Sequence, residues 1–410
     1  MIRITSLFLL LPMLLPVSRA DQRLLLAEHP SPYLQAHADD AIHWQPNHED
    51  VNAGARRDDR LIFLSSGYQS CYWCYRMKED SFASRDVGDI INSRFLPVLI
   101  DRELEPQLDR EMQRILERQR GVGGWPANII LTPDGYPLAS FGYVAADDLA
   151  PALSRLVQRW DSEQERLVAE GKALLAGLEK QREASERLLE EKTLADLLRR
   201  FLQQTSAAAD TDQGGFGDSE KYPHLPQLQA LLALTDLLPD DTLTAFLKHS
   251  LDALLDNGLR DQLGGGFFRY TTDRQWRTPH YEQMLYTQAQ AAQLLLRAGE
   301  QLGAQPYRDA GMATLENMLR AFRRDDGLFR SALSAVGHDG RDGSHYLWRV
   351  QELEAVLGPQ WQAKVEILVE TPAGLLPALS MEASETDRRA LLQQRERKPP
   401  PADEKALLGL

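Results

Sequence analysis

Cysteine is nearly absent from this chain, with only Cys71 and Cys74 among 410 residues. Two cysteines exclude the multi-bridge scaffold of small secreted domains and leave no second pair to complete a four-thiolate zinc site. A positive charge excess is also absent, because 46 Lys and Arg face 60 Asp and Glu, for a net charge of −14. Nucleic-acid binding calls for a basic footprint, so nucleic acid is not an expected partner. No apolar run reaches the roughly 18–20 residues that cross a bilayer. No Gly-x-x-x-x-Gly-Lys-Ser/Thr phosphate loop occurs, and Gly264-Gly265-Gly266 lacks the strand and acid of a dinucleotide site. Neither a cofactor nor a metal is expected.

What is present supports a folded, multi-domain chain. At 43% hydrophobic residues the chain can build a sizeable core, and its length fits two or three domains of roughly 100–200 residues each. Residues 1–20 carry Arg3, an apolar stretch over 7–15 and the small-x-small triplet Ser18-Arg19-Ala20, the pattern of a cleaved export signal. The expected location is therefore periplasmic or secreted, where a cysteine pair can be oxidised.

Residues 60–67 and 95–101 read as apolar strands, with a helix over 71–82 between them and a charged helix running to about 119. A strand over 128–132, the turn Pro133-Asp134-Gly135 and a returning strand over 136–142 follow. Alternating strands and helices predict an α/β domain over 24–160. Residues 147–205 look almost continuously helical, and 161–194 are assigned as a helical connector. From 195 to 410 an all-α domain is expected, with glycine-aromatic loops at 214–216, 264–267 and 326–329. Each interval holds two helices, the weak periodicity of repeated helical hairpins. The proline-rich stretch 395–403 reads as a loop, and 404–410 as the first turns of a further element.

Cys71-Tyr72-Trp73-Cys74 follows a predicted strand and should open a helix. There the first thiol meets unpaired N–H groups and the positive end of the helix dipole, which stabilise its thiolate. Cys74 lies one turn on, close enough to resolve a mixed disulfide carried by Cys71. A chance pair, or half of a metal site, is the competing reading. Tyr68, Tyr72, Trp73, Tyr75 and Trp125 would form an aromatic rim around the sulfurs, or pack as core.

These residues carry a resemblance. Ser31-Pro32-Tyr33-Leu34, FLSSGYQSCYWCYRM over 63–77, Ile100-Asp101-Arg102-Glu103 and GGWPANIILTPDG over 123–135 resemble the thioredoxin-like domain of the DUF255 family, related to spermatogenesis-associated protein 20. In the second half, Gly214-Gly215-Phe216-Gly217, Lys221-Tyr222-Pro223-His224, 264–270 and WRTPHYEQMLY over 276–286 resemble that family's (α/α)-toroid part, similar in shape to sugar epimerases and helical-barrel glycoside hydrolases. The resemblance implies a thioredoxin-like fold followed by a partial (α/α)6-toroid-like helical-hairpin domain. It implies that Pro126 is cis and approaches the dithiol, with Tyr72, Trp73, Trp125 and Pro126 lining a groove for protein substrates. Departures exist. Tyr72 and Tyr75 stand where the family usually has histidine, so no imidazolium charge sits between the cysteines. Leu333 and Ser334 replace a common Glu-Asp pair, which weakens a glycosidase-like proposal. The chain also stops where the family continues, as expected of a truncated chain, a fragment or an open helical array.

In the helical half, Glu220, His224, Asp261, His280 and Glu282 are the candidate cavity residues. His280 with Glu282 or Asp261, or His224 with Glu220, could supply the donor and acceptor that an epimerase or hydrolase needs. The competing reading has them pinning glycine-rich loops. Pro279 suits a first helical turn, with Glu282 in a local capping role. The leading expectation is a periplasmic thiol–disulfide oxidoreductase in which Cys71 attacks and Cys74 resolves, acting on protein thiols or disulfides. The alternative is a carbohydrate-binding or sugar-epimerase-like or glycosidase-like helical protein with a regulatory or vestigial dithiol.

Overall fold

Two apolar runs, Leu61–Gly67 and Phe95–Asp101, are buried along their whole length. A strand covered on both faces loses its polar alternation, which is why both read as continuous hydrophobic stretches. In a computed structural model describing residues 19–191, 193–237 and 240–407, they form the centre of a five-stranded mixed sheet. Of the expected export signal, residues 1–18 lie outside the described residues. The strands are β1 (Gln45–Pro46), β2 (Leu61–Gly67), β3 (Phe95–Asp101), β4 (Ala127–Leu131) and β5 (Pro137–Phe141), in the order β1-β3-β2-β4-β5. β2 and β3 run parallel, whereas β4 is antiparallel to β2 and to β5. Gly135, at a φ of 88°, makes the β4–β5 turn expected at Pro133-Asp134-Gly135.

Alternate residues of β2 face opposite layers. Leu61 and Phe63 join a core with Trp44, Met77, Phe82 and Ile91, while Ile62 and Leu64 join one with Val98, Met112 and Ile129. The helix Pro106–Arg120 covers the second layer through Met112, Ile115 and Leu116. Helix Ala146–Glu191, kinked at Glu163, packs Leu149, Leu153, Val157, Trp160 and Leu167 on the first layer. Beyond the kink, Leu174, Leu175 and Leu178 reach the second. No helix among the described residues is long and apolar enough to cross a membrane.

The C-terminal half is mostly helical. Leu225–Leu237 and Asp241–Asp256 fill the first interval between glycine-aromatic loops, and Leu285–Gln301 and Gln305–Asn317 fill the second. Their shared core includes Leu228, Leu251, Leu254 and Leu294. The expectation of an all-α half is corrected beyond residue 330, where Val365–Thr371 and Gly374–Leu379 pair as an antiparallel hairpin. Val365, Ile367, Val369 and Thr371 recur with period two, the strand signal passed over in the sequence. The Thr371 hydroxyl accepts the N–H groups of Ala373 and Gly374 and closes the turn.

Two further corrections concern the junction of the halves. Residues 404–410 were expected to be the first turns of a further element; residues 404–407 form no helix or strand, and 408–410 lie outside the described residues. Ala402–Asp403, just before them, pairs with Ala332–Leu333, which pairs with Gln283–Met284. Lys405 then reaches back to the sheet half, where its ammonium meets Asp101 and lies 3.1 Å from Glu103 and 3.0 Å from Asp403. Pro279 was expected in a first helical turn. Pro279–His280 is instead a short strand antiparallel to Tyr270–Thr271, and the helix starts at Leu285. The side chain of Asp273 takes the N–H groups of Arg277 and Thr278 and bends the chain back at that point.

Candidate active site

Cys71 stands at the N-cap of the helix Tyr72–Met77, in extended backbone geometry, one strand-end loop after β2. Its sulfur accepts the N–H of Cys74 at 3.1 Å, and the two cysteines are joined as a disulfide with their Cα atoms 5.2 Å apart. The helix continues into a π-helical turn, Lys78–Phe82, that anchors Phe82 in the core. Gly67 ends β2 because a Cβ there would lie 2.9 Å from the Cys74 sulfur, and closer still to the Tyr33 hydroxyl. The Trp125–Pro126 peptide bond is cis, as the resemblance implied.

Four residues were expected around a substrate groove, and they differ in exposure. Trp73 is 41% exposed and packs against Tyr143, with ring centroids 5.2 Å apart. Tyr72 and Trp125 are half-buried, and Pro126 is buried. Trp125 donates its indole N–H to Asp109 at 2.8 Å, and Asp109 also accepts the Ser66 hydroxyl. The guanidinium of Arg102 lies 4.2 Å from the Trp125 ring centre and 4.4 Å from that of Tyr68, and Arg269 lies 5.0 and 4.9 Å from the same two rings.

Both sulfur-bearing residues are almost fully enclosed, with 3% of Cys71 and 2% of Cys74 exposed. The helical half contributes to this cover. The Ser70 hydroxyl points to the Met284 sulfur at 3.6 Å, and Met284 and Ala332 enter the core of the sheet half. Glu282 comes closest to the dithiol loop. Its Oε2 accepts the Tyr68 hydroxyl at 2.7 Å and Arg269 at 2.9 Å, while its Oε1 accepts the backbone N–H of Tyr72 at 3.3 Å. His280 places Nδ1 3.4 Å from the same Oε1 and packs its ring against Tyr72 at 5.6 Å. Burial lowers the His280 pKa, against the opposing pull of Glu282.

The five candidates of the helical half therefore separate. His280 and Glu282 join the dithiol. Asp261 does not, because its carboxylate is bound by both terminal nitrogens of Arg395, at 2.9 and 2.8 Å, in a buried pair that also receives the N–H of Gly264. His224 packs beside Phe216 and Tyr222, and Glu220 is exposed near them. A stack of Tyr222 on Tyr270 and Tyr270 on His280, at 4.6 and 4.9 Å, links that region to the dithiol edge.

Sequence reasoning missed Arg102, Arg269 and Asp342 as site residues. Arg102 directly follows the buried end of β3, and Arg269 follows the buried pair Phe267-Phe268, positions from which a charged side chain enters an interface. Asp342 sits in Gly340-Arg341-Asp342-Gly343, which reads as an ordinary turn. Burial, and then the Glu282 carboxylate, raise its carboxyl pKa to about 7.

Residues 23–179 match the family described as "Protein of unknown function, DUF255", labelled Thioredox_DsbH. The human spermatogenesis-associated protein 20 is 32% identical over 349 residues, which are 81% of this chain and 44% of that protein. The rat protein of the same name is 31% identical with the same coverage. The chain thus spans less than half the length of these curated relatives. Among solved structures, a sugar epimerase from a ruminal bacterium aligns at 18% identity and a TM-score of 0.31, covering 33% of this chain and 37% of its own. A structure titled "DsbH Oxidoreductase" aligns at 21% identity and a TM-score of 0.23, covering 28% of this chain and 84% of its own.

Proposed function

The chain belongs to the DUF255 family of spermatogenesis-associated protein 20-like proteins, and from that membership we propose that it is a thiol–disulfide oxidoreductase working through Cys71 and Cys74. In this reading the sheet half is a thioredoxin-like domain, and the helical half is a partial (α/α)-toroid-like partner built onto it. The observation that carries the proposal is the Cys71–Cys74 disulfide at a helix N-cap, with the Cys74 N–H donated to the Cys71 sulfur. Backbone donors there stabilise a thiolate as it forms.

In the oxidising direction, a substrate thiolate attacks the Cys71 sulfur and the Cys71–Cys74 bond breaks. Cys74 leaves as a thiolate that takes up a proton. A second substrate thiolate then attacks the mixed disulfide and releases Cys71, so one substrate disulfide and two enzyme thiols result. The reducing direction runs these steps backwards. Trp73 is the exposed surface on which an extended protein substrate would rest, with the half-buried Trp125 and the buried Pro126 behind it. Because the sulfurs are enclosed, such a substrate reaches Cys71 only when the Glu282 contacts to Tyr68 and Tyr72 open. We place the reaction in the periplasm or outside the cell, where protein thiols and disulfides are the substrates.

The test is the redox equilibrium of the full chain in a glutathione series, read by thiol alkylation, with Cys71→Ser as the inert control. A reversible two-electron transition, and capture of a protein partner by Cys74→Ser, are expected. A pair that neither exchanges nor captures a partner would end this reading. A carbohydrate-directed reading has no comparable support, since Asp261 and Glu282 are both engaged by arginine.

A further inference from the structure

Reduction of the disulfide creates charge at one place. The Cys71 thiolate would form at the start of the helix Tyr72–Met77, where the N–H groups of the first turn are its natural partners. One of those donors is already taken. Tyr72, next in sequence to Cys71, gives its N–H to Glu282 Oε1, a carboxylate that belongs to the other half of the molecule. Glu282 is 1% exposed, and Arg269 and the Tyr68 hydroxyl hold its second oxygen. It cannot turn away without breaking both contacts.

We propose that Glu282 sets the redox poise of the Cys71–Cys74 couple, opposing the Cys71 thiolate across the interface so that the disulfide is the favoured form. This rests on the oxidoreductase reading and adds a direction to it. A like charge in an enclosed site raises the free energy of a second anion, and the dithiol state loses stability while the disulfide, which carries no charge, does not. A disulfide stabilised in this way makes the dithiol a ready electron donor, and the chain works towards reducing its partners. Arg269 moderates the effect without cancelling it, because it binds Oε2 while Oε1 faces the helix start. The other groups around the carboxylate are Arg102, placed over Tyr68 and Trp125, His280, kept towards its neutral form by burial, and Asp342. Glu282 is thus a positioning residue of the reaction, acting through the helix start.

The experiment uses the full chain with glutathione as the probe. Each turnover converts the Cys71–Cys74 disulfide and two glutathione thiols into two cysteine thiols and glutathione disulfide. The fraction reduced is measured at equilibrium, and the Cys71 thiol pKa is taken from the pH dependence of alkylation in a Cys74→Ser background. Glu282→Gln removes the charge and keeps one oxygen acceptor, which can serve Tyr68 or the Tyr72 N–H but not both. It is expected to lower the thiol pKa by about one unit and, at a pH above the thiol pKa of both proteins, to move the equilibrium on the order of tenfold towards the dithiol. Arg269→Gln, which leaves the carboxylate uncompensated, is expected to move both quantities the opposite way. Shifts of the same sign in the two variants, or none in either, would overturn the proposal while leaving thiol–disulfide exchange intact. A parent chain that does not exchange at all overturns both. If Glu282→Gln does not fold, Arg269→Gln decides alone: an unchanged or lowered thiol pKa sinks the idea.

Discussion

The Tyr68 hydroxyl donates a 2.7 Å hydrogen bond to Glu282, a residue 214 positions further along the chain. Tyr68 lies in the loop that leads from β2 to Cys71, so this bond fastens the helical half directly onto the dithiol loop. The disulfide is enclosed, and reduction by an outside reagent is expected to require that fastening to open. A hydrogen bond to a charged group contributes about 1.5–3 kcal/mol. Tyr68→Phe should therefore increase the rate at which a phosphine reductant opens the disulfide by roughly tenfold or more, if opening limits access. Reduction followed by thiol alkylation checks this. An unchanged rate would mean that the sulfurs are reached without parting Tyr68 from Glu282.

Gly67 supports the sulfurs from the opposite side. A Cβ at this position would meet the Tyr33 hydroxyl at 2.3 Å and the Cys74 sulfur at 2.9 Å. Neither neighbour has room to retreat, as both are buried in the main core. Gly67→Ala is expected to lower stability by about 1–3 kcal/mol, the usual cost of overpacking a dense core. Tyr33→Phe in the same chain should restore part of it by removing the nearest atom. Thermal melts of the two variants and the parent are the measurement.

Much of the sheet half was legible because its signals are local. Continuous apolar runs marked β2 and β3, Pro133-Asp134-Gly135 marked a hairpin, and two cysteines at a strand-to-helix junction marked the site. The helical half was legible in its first two helix pairs, where glycine-aromatic loops punctuate the chain. What stayed hidden was non-local. Glu282 read as a helix cap or an acid of a sugar cavity, because nothing near it in sequence announces Tyr68 or Tyr72 as its partners. For Asp261 the sequence leaves a cavity acid and a group pinning the glycine-rich loop side by side. In the structure it holds the Gly264 N–H, while the cation that binds it, Arg395, lies 134 positions away. The hairpin of Val365–Thr371 and Gly374–Leu379 lies beyond the glycine-aromatic loops that carry the helical repeat, so that repeat says nothing about it.

Asp342 links stability to pH. Its Oδ1 is buried without a hydrogen-bond partner, and its carboxyl pKa is raised to about 7 by burial and by Glu282. In the unfolded chain the same group ionises near 4, so between these values the folded protein holds a proton that the unfolded chain releases. Its contribution is present in full below about pH 4 and is lost as pH rises through about 7. Asp342→Asn should therefore stabilise the chain near pH 8, by up to about 4 kcal/mol, and flatten the fall in stability between those limits. Denaturant unfolding of parent and variant across the range reads this directly. Equal stabilities at the alkaline end would show that Asp342 ionises freely.

Asp261 and Arg395 make the opposite case, a charged pair whose role is structural. The carboxylate and the guanidinium are buried together and share two parallel hydrogen bonds, and the carboxylate also holds the N–H of Gly264 at the start of the triple-glycine loop. Removing one partner leaves the other charge enclosed and uncompensated, which typically costs about 3–5 kcal/mol. Asp261→Ala should lose stability on that scale. The double variant Asp261→Ala, Arg395→Met should recover a substantial part, because no bare charge remains. Asp261 has its bonds to Arg395 and the glycine loop, away from Glu282 and the dithiol loop, so the glutathione equilibrium of the folded variants should match the parent. A changed equilibrium at preserved fold would place Asp261 in the redox machinery after all, and equal losses in the single and double variants would show that the pair's charges are not what holds the loop.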